Sequence, residues 1–301
     1  MKKLVIAAGT GFLGNVLINH FKDTAEDIVV LTRGRAATKN NVRYITWDAK
    51  SMTGWERELE GADVLINLAG KSVDCRYTEE NKNEIMASRI DSTVVLGKAI
   101  KQCANPPKQW LNSSTATIYR HSTDKQMDEY AGETGHDFSM NVAKVWERAF
   151  FEADVPATMQ TALRTSIVLG KNGGAFVPLK RLAGFGFGGS QGSGTQFVSW
   201  IHEADFARAV EFIITQKMEG VVNVVSPTPV HNTDFMAALR KAIHMPFGIP
   251  MPEALLKFGA KIIGTETELV LKSRNVIPKR LTESGFVFEH GELGRALREL
   301  V

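Results

Sequence analysis

Leu4-Val5-Ile6-Ala7-Ala8-Gly9-Thr10-Gly11-Phe12-Leu13-Gly14 stands almost at the start of the chain. Five apolar residues run straight into glycines spaced G-x-G-x-x-G, and Val16, Leu17 and Phe21 continue as the apolar face of a helix. Strand, glycine loop and helix in that order give the context in which this spacing signifies a dinucleotide-binding turn. Gly9 permits the tight turn, Gly11 lets backbone N–H groups approach a pyrophosphate, and Gly14 lets the helix pack closely on the strand. Thr10, Phe12 and Leu13 complete the expected cofactor loop, and the helix N-terminus adds partial positive charge.

The second strand should carry the cofactor choice, because an acid at its end would hydrogen-bond the ribose hydroxyls of NAD. Here it ends Leu31-Thr32-Arg33-Gly34-Arg35, with no carboxylate. A guanidinium binds a 2′-phosphate bidentately where an acid would repel it, so Arg33 points to NADP.

Working outward, short Val-, Ile- and Leu-rich runs recur at 28–32, 42–47, 64–69, 109–113 and 161–168, the texture of strands buried on both faces. Stretches of helical length at 14–21, 81–102 and 142–153 alternate with them. This alternation predicts an α/β fold with a doubly wound parallel sheet. A glycine-rich passage at 184–194 breaks the pattern; helical texture resumes at 204–216, a strand at 221–225, and prolines punctuate the tail. The expected division is a cofactor domain of 1–165 with 198–226 and a smaller cap of 166–197 with 227–301. In the tail, 235–243, 254–263 and 266–272 read as helical.

The 301 residues are 44% hydrophobic and 23% charged with a net charge of +3, which makes no case for nucleic acid or a membrane surface as partner. Cys75 and Cys103 form no C-x-x-C pair and sit by no histidine cluster, so neither a disulfide framework nor a structural metal site is expected. The apolar run after Met1-Lys2-Lys3 is too short for a secretory segment, and no apolar stretch is long enough to span a bilayer. A cytoplasmic protein acting on a small molecule is expected; nothing in the sequence speaks to oligomeric state.

Together with the first loop, Asn67-Leu68-Ala69-Gly70, Ser88-Arg89 with Thr93, Arg164 to Gly170, Gly188 to Gly194, Ser199 to His202 with Asp205, and Pro278 to Leu281 resemble landmarks of the extended short-chain dehydrogenase/reductase superfamily. The likeness is to its atypical, sugar-nucleotide-epimerase-like subgroup with a small C-terminal domain of unknown function. It implies an NAD(P)-binding Rossmann fold, a nucleotide-sugar-like substrate, and Asn67, Leu68, Ala69 and Gly70 against the cofactor, where small side chains would admit its ribose. It also places the catalytic hydroxyl at Ser114 or Thr115, depending on whether one counts as the subgroup or as typical members do.

The superfamily's Tyr-x-x-x-Lys pair is missing. None of Tyr44, Tyr77, Tyr119 and Tyr130 precedes a lysine by four, and anchoring on Trp146-Glu147 puts Ser139 and Ala143 in those places. Two readings follow. In one, an NADP-dependent oxidoreductase or epimerase-like enzyme takes its proton donor elsewhere, from Glu133, His136, Lys144 or His202, with His202 favoured by its pKa range. In the other, the chain is a non-catalytic NADP-binding regulator. For the glycine-rich loop, Gln191, Ser193 and Gln196 are the expected substrate contacts, beside free glycine amides.

Overall fold

The computed structural model describes residues 1–257 and 266–301. An eight-stranded sheet is built from β1 (Lys3–Ala7), β2 (Asp27–Thr32), β3 (Ala37–Lys39), β4 (Val42–Thr46), β5 (Val64–Asn67), β6 (Gln109–Thr115), β7 (Met159–Thr165) and β12 (Gly220–Val224). Its order is β12-β7-β6-β5-β1-β2-β4-β3, and every pairing is parallel except β3 with β4 at one edge. The order reverses between β1 and β5, and in open α/β sheets the ligand crevice opens beyond the carboxyl ends of the strands at that point.

Period-two alternation within β1 explains why its run is apolar throughout. Leu4 and Ile6 pack in one core cluster with Leu17 and Phe21 of α1 (Phe12–Phe21) and with Phe206 and Val210 of α5 (Glu203–Thr215). Val5 and Ala7 face the opposite cluster, with Val95 and Leu96 of α2 (Glu79–Gln102) and Phe150 of α3 (Phe138–Phe151). Each such aliphatic side chain contributes about 1.5–3 kcal/mol on burial, so the strand is fixed from both sides.

The stretch at 161–168 does not form one strand. β7 ends at Thr165, and β8 (Ile167–Gly170) leaves the main sheet to join β9 (Gly173–Gly174) and β11 (Trp200–His202) in a three-stranded sheet. The chain thus returns to the main sheet only at β12. A separate apolar cluster lies under this smaller sheet: Leu169, Phe176 of α4 (Phe176–Leu182), Trp200, Phe235 and Leu239 of α6 (Asn232–Ala242), and Leu297 of the C-terminal helix Leu293–Leu300. β10 (Phe197–Val198) and β13 (Val230–His231) pair beside it. The expected helix at 266–272 is a short turn of helix at Glu268–Leu271, while that at 254–263 falls mostly outside the described residues. No helix among the described residues is long and apolar enough to cross a membrane.

Candidate functional site

The glycine loop leaves β1 through Ala8, held at φ 58°, and enters α1 at Gly11. A Cβ on Gly14 would stand 2.1 Å from the Gly9 carbonyl oxygen, and one on Gly9 would stand 2.8 Å from Ile6 Cγ2, so both glycines are dictated by packing. A Cβ on Gly11 would meet nothing within 4 Å. That open space lies at the N-terminus of α1, where no side chain caps the helix and no acid occupies the first turn. An anion is what such a terminus binds. Thr10 is exposed, and its carbonyl accepts from Asn15 Nδ2. The Phe12 ring turns away into the β8–β9 hairpin, where side chains at Gly170 or Gly173 would collide with it, so Phe12 offers only backbone to a ligand. Arg33 and Arg35 stand exposed just past β2, and among the described residues no carboxylate lies within ion-pair distance of either.

Beyond the loop a cleft of about 270 Å³ opens at the switch point. Leu13 and Leu68 to Gly70 line one side, the end of β6 brings Ser114 and Thr115, and α3 contributes Ser139 and Trp146. Thr115 Oγ1 accepts from the Thr117 amide and shapes the turn after β6. Ser114 Oγ donates to Glu147 Oε1 at 2.5 Å. Glu147 in turn holds Arg164 through Nε at 2.8 Å and Nη2 at 2.7 Å, with both side chains about nine-tenths buried. Arg164 Nη1 donates to the Tyr119 hydroxyl, which donates to Asn223 Oδ1. Burial works against the Arg164 charge, but the Glu147 carboxylate more than offsets it and the guanidinium pKa is raised. A chain of polar groups from β6, α3, β7 and β12 therefore stands behind one cleft hydroxyl.

Ser139, in the place of the missing tyrosine, lines the cleft and donates to Glu268 of the C-terminal segment. Tyr77 faces the same space, its ring edge-on to Phe138 at 5.0 Å; burial, then the Glu268 carboxylate, push its phenol up to about 12. Arg89 of α2 lines the cleft from the other wall.

Several expected site residues lie elsewhere. Asn67 is wholly buried: its side chain accepts from the Ala69 amide and donates to Asn112 at 2.7 Å, so it shapes the turn after β5 and its side chain does not face the cleft. Gly70 does line the cleft, and the space on its Cβ side is filled by the Arg89 guanidinium, whose Cζ would lie 3.1 Å from a Cβ there. His202 is outside the cleft. Its Nδ1 accepts from the Ala204 amide and caps α5, its ring stacks on His290 at 4.0 Å, and burial, then His290, lower its pKa to about 4. Because Nδ1 is an acceptor, Nε2 carries the proton, which also unfits it as a metal ligand in the His202, His290, Glu299 group.

Gln191 and Gln196 point inward: Gln196 Nε2 donates to the Gln191 and Val270 carbonyls, and Asn232 Nδ2 donates to Gln191 Oε1. Ser193 bonds Thr195 and Gln196. The amides of Gly189, Gly192 and Gly194 are taken by Ile249, Met251 and Gln191. Gly192 and Gly194, at φ +63° and +73°, serve the loop's own turns. Glu133 pairs with Arg120 and Lys125, and Lys144 with the Gly135 carbonyl. Sequence reasoning missed the role of Glu147 and those of Arg89 and Arg164; the W-E pair on α3, the Ser-Arg pair on α2 and the Arg164 to Gly170 landmark were the signals that marked them.

Residues 4–144 match the model of the NAD dependent epimerase/dehydratase family, and residues 251–300 match a domain of unknown function, DUF1731. The chain is 31% identical over 303 residues to the epimerase family protein YfhF of Bacillus subtilis, covering 99% of this chain and 97% of that one. Among solved structures, human epimerase family protein SDR39U1 (isoform 2) with NADPH superposes with a TM-score of 0.86 at 29% identity, covering 99% and 98% of the two chains. A nucleoside-diphosphate sugar epimerase from Corynebacterium glutamicum gives 0.78 at 26% identity, over 99% of this chain and 58% of that one.

Proposed function

Because this chain belongs to the NAD dependent epimerase/dehydratase family, we propose that it binds NADP(H) across the carboxyl ends of β1 and β5 and transforms a small hydroxyl- or carbonyl-bearing substrate in the adjoining cleft. The observation that carries this reading is the side-chain-free space at Gly11, set against an uncapped, acid-free helix N-terminus. Gly9 to Gly14 would hold the pyrophosphate, Arg33 the 2′-phosphate, and Leu68 and Ala69 would border the nicotinamide half. The solved relative carrying NADPH is consistent with that choice.

When bound, the nicotinamide supplies hydride transfer. The chain's own part is to orient the substrate and handle the proton. Ser114 Oγ spends its own hydrogen on Glu147, so its lone pairs are free to accept a substrate hydroxyl proton, while Glu147 Oε1 receives the one Ser114 releases. Arg164 fixes the carboxylate for that exchange. Leu13, Leu68 and Trp146 keep the cleft partly apolar, which strengthens these polar contacts.

We divide the roles between 1–165 with 198–226 as the cofactor unit and 166–197 with 227–301 as the cap, two units joined where β11 of the first pairs with β8 of the second; the cap brings Glu268 to Ser139. Nucleoside-diphosphate sugars are the substrate class favoured by the Corynebacterium relative. A panel of ketosugar nucleotides and simple ketones, followed by loss of nicotinamide absorbance, tests the reading. Turnover that Ser114→Ala abolishes supports it; tight NADPH binding with no turnover on any member supports a regulatory binding module instead.

A further inference from the structure

Arg89 is, among the described residues, the one formally charged side chain that lines the cleft. It projects from α2 and lies against Gly70, where an added Cβ would stand 3.1, 3.3 and 3.4 Å from its Cζ, Nη2 and Nε. Its Cζ also lies 5.1 Å from the centre of the Trp146 ring. Two contacts of this kind hold a guanidinium plane in one orientation.

Its hydrogen bonding is half complete. Nη1 donates to the Lys71 carbonyl at 3.0 Å and the Ile85 carbonyl at 2.9 Å. A guanidinium has five donors, and the Nε and Nη2 edge, the one matched to a carboxylate or phosphate, has no acceptor among the described residues. No carboxylate there lies within ion-pair distance; the titratable neighbour is the uncharged phenol of Tyr77. Burial accordingly lowers the Arg89 pKa to about 10. The rest of the cleft's polar lining is neutral, with hydroxyls on Ser113, Ser114, Thr115, Thr117, Ser139 and Ser166.

A desolvated cation with an open bidentate edge costs the fold free energy unless something else supplies the counter-charge. Among the described residues no protein group does. The cofactor's own phosphates belong, on the reading above, to the N-terminus of α1 and to Arg33, on the β1–β2 side of the crevice, whereas Arg89 lies past Gly70 on the α2 wall. We propose that Arg89 binds an oxyanion of the substrate, a carboxylate or phosphate, and so restricts this cleft to anionic substrates whose remaining hydroxyls meet its serines and threonines. This inference rests on NADP(H) occupying the crevice.

The test uses the full chain. Wild type is first titrated with NADP⁺ alone; failure there refutes the cofactor reading and is seen separately. Protein held saturated with NADP⁺ is then titrated calorimetrically with inorganic pyrophosphate and with malonate. At least one should bind, pyrophosphate the tighter if the natural group is a phosphate and malonate if it is a carboxylate. Arg89→Gln should weaken that binding at least tenfold while changing NADP⁺ affinity less than twofold. Arg89→Lys, which keeps the charge but loses the fork, should fall between the two and stands in if the glutamine variant does not fold. Absence of binding by both anions, binding indifferent to Arg89, or an equal loss of NADP⁺ affinity would overturn the proposal, the last by giving the anion to the cofactor.

Discussion

Removing the Glu147 carboxylate should be among the most damaging single changes in the site. Glu147→Ala deletes the acceptor of two Arg164 hydrogen bonds and of the Ser114 hydroxyl, at 2.8, 2.7 and 2.5 Å. Ser114 can turn toward the cleft and find water, so its loss is small. Arg164 cannot: its side chain is 11% exposed, and among the described residues the Tyr119 oxygen is the one acceptor that remains to it. Stranding one member of a buried pair costs about 3–5 kcal/mol, a large share of a typical total of about 5–15. We expect about 4 kcal/mol, read from urea unfolding followed by circular dichroism. Replacing both partners, Glu147→Leu with Arg164→Met, leaves no uncompensated charge and should cost about 2 kcal/mol or less, well short of the sum of the singles. A cost below about 1 kcal/mol for Glu147→Ala, or additive single effects, would refute the view that this pair is a desolvated unit behind Ser114.

The glycine loop predicts a contrast. Gly14→Ala puts a methyl on the Gly9 carbonyl and should destabilise the fold as well as abolish NADPH binding, whereas Gly11→Ala, at φ −81° with open space around it, should leave urea stability within about 0.5 kcal/mol and weaken NADPH alone. His202 should make stability pH-dependent. Its folded pKa of about 4 lies below the unfolded value of 6.5, so its neutral form favours the fold above pH 6.5, and that contribution drains away as pH falls from 6.5 toward 4. Allowing for partial solvent screening it amounts to about 2 kcal/mol. His202→Asn, which can still cap α5, should flatten the wild-type loss over that window; an unchanged profile would contradict the assignment.

The parts of the molecule legible from sequence are those fixed by local spacing. β1 reads correctly because both of its faces are buried, and the close packing expected at Gly14 is found because it answers to contacts a few residues away. The site wall reads poorly because its contacts join distant segments: Ser114 with Glu147, Arg89 with Gly70, and Ser139 with Glu268, 129 positions apart. The glycine-rich loop misleads for a physical reason. Glycines at positive φ look the same in sequence whether their amides wait for a ligand or, as at Gly192 and Gly194, are already hydrogen-bonded to the chain. His202 misleads likewise, since a histidine before Glu203-Ala204-Asp205 serves as readily for a helix cap as for an acid.

On the proposed function, the crevice takes a 2′-phosphorylated dinucleotide whose phosphate is read by Arg33. Calorimetric titration of the wild type and Arg33→Asp with NADPH and NADH tests it directly. Loss of a charge-assisted bidentate contact is worth about 1.5–3 kcal/mol, so wild type should prefer NADPH by at least tenfold, and the variant should lose that preference while holding NADH nearly unchanged. Equal loss of both cofactors in Arg33→Asp would remove Arg33 from the 2′-phosphate site, and no binding of either by the wild type would remove the cofactor from the crevice.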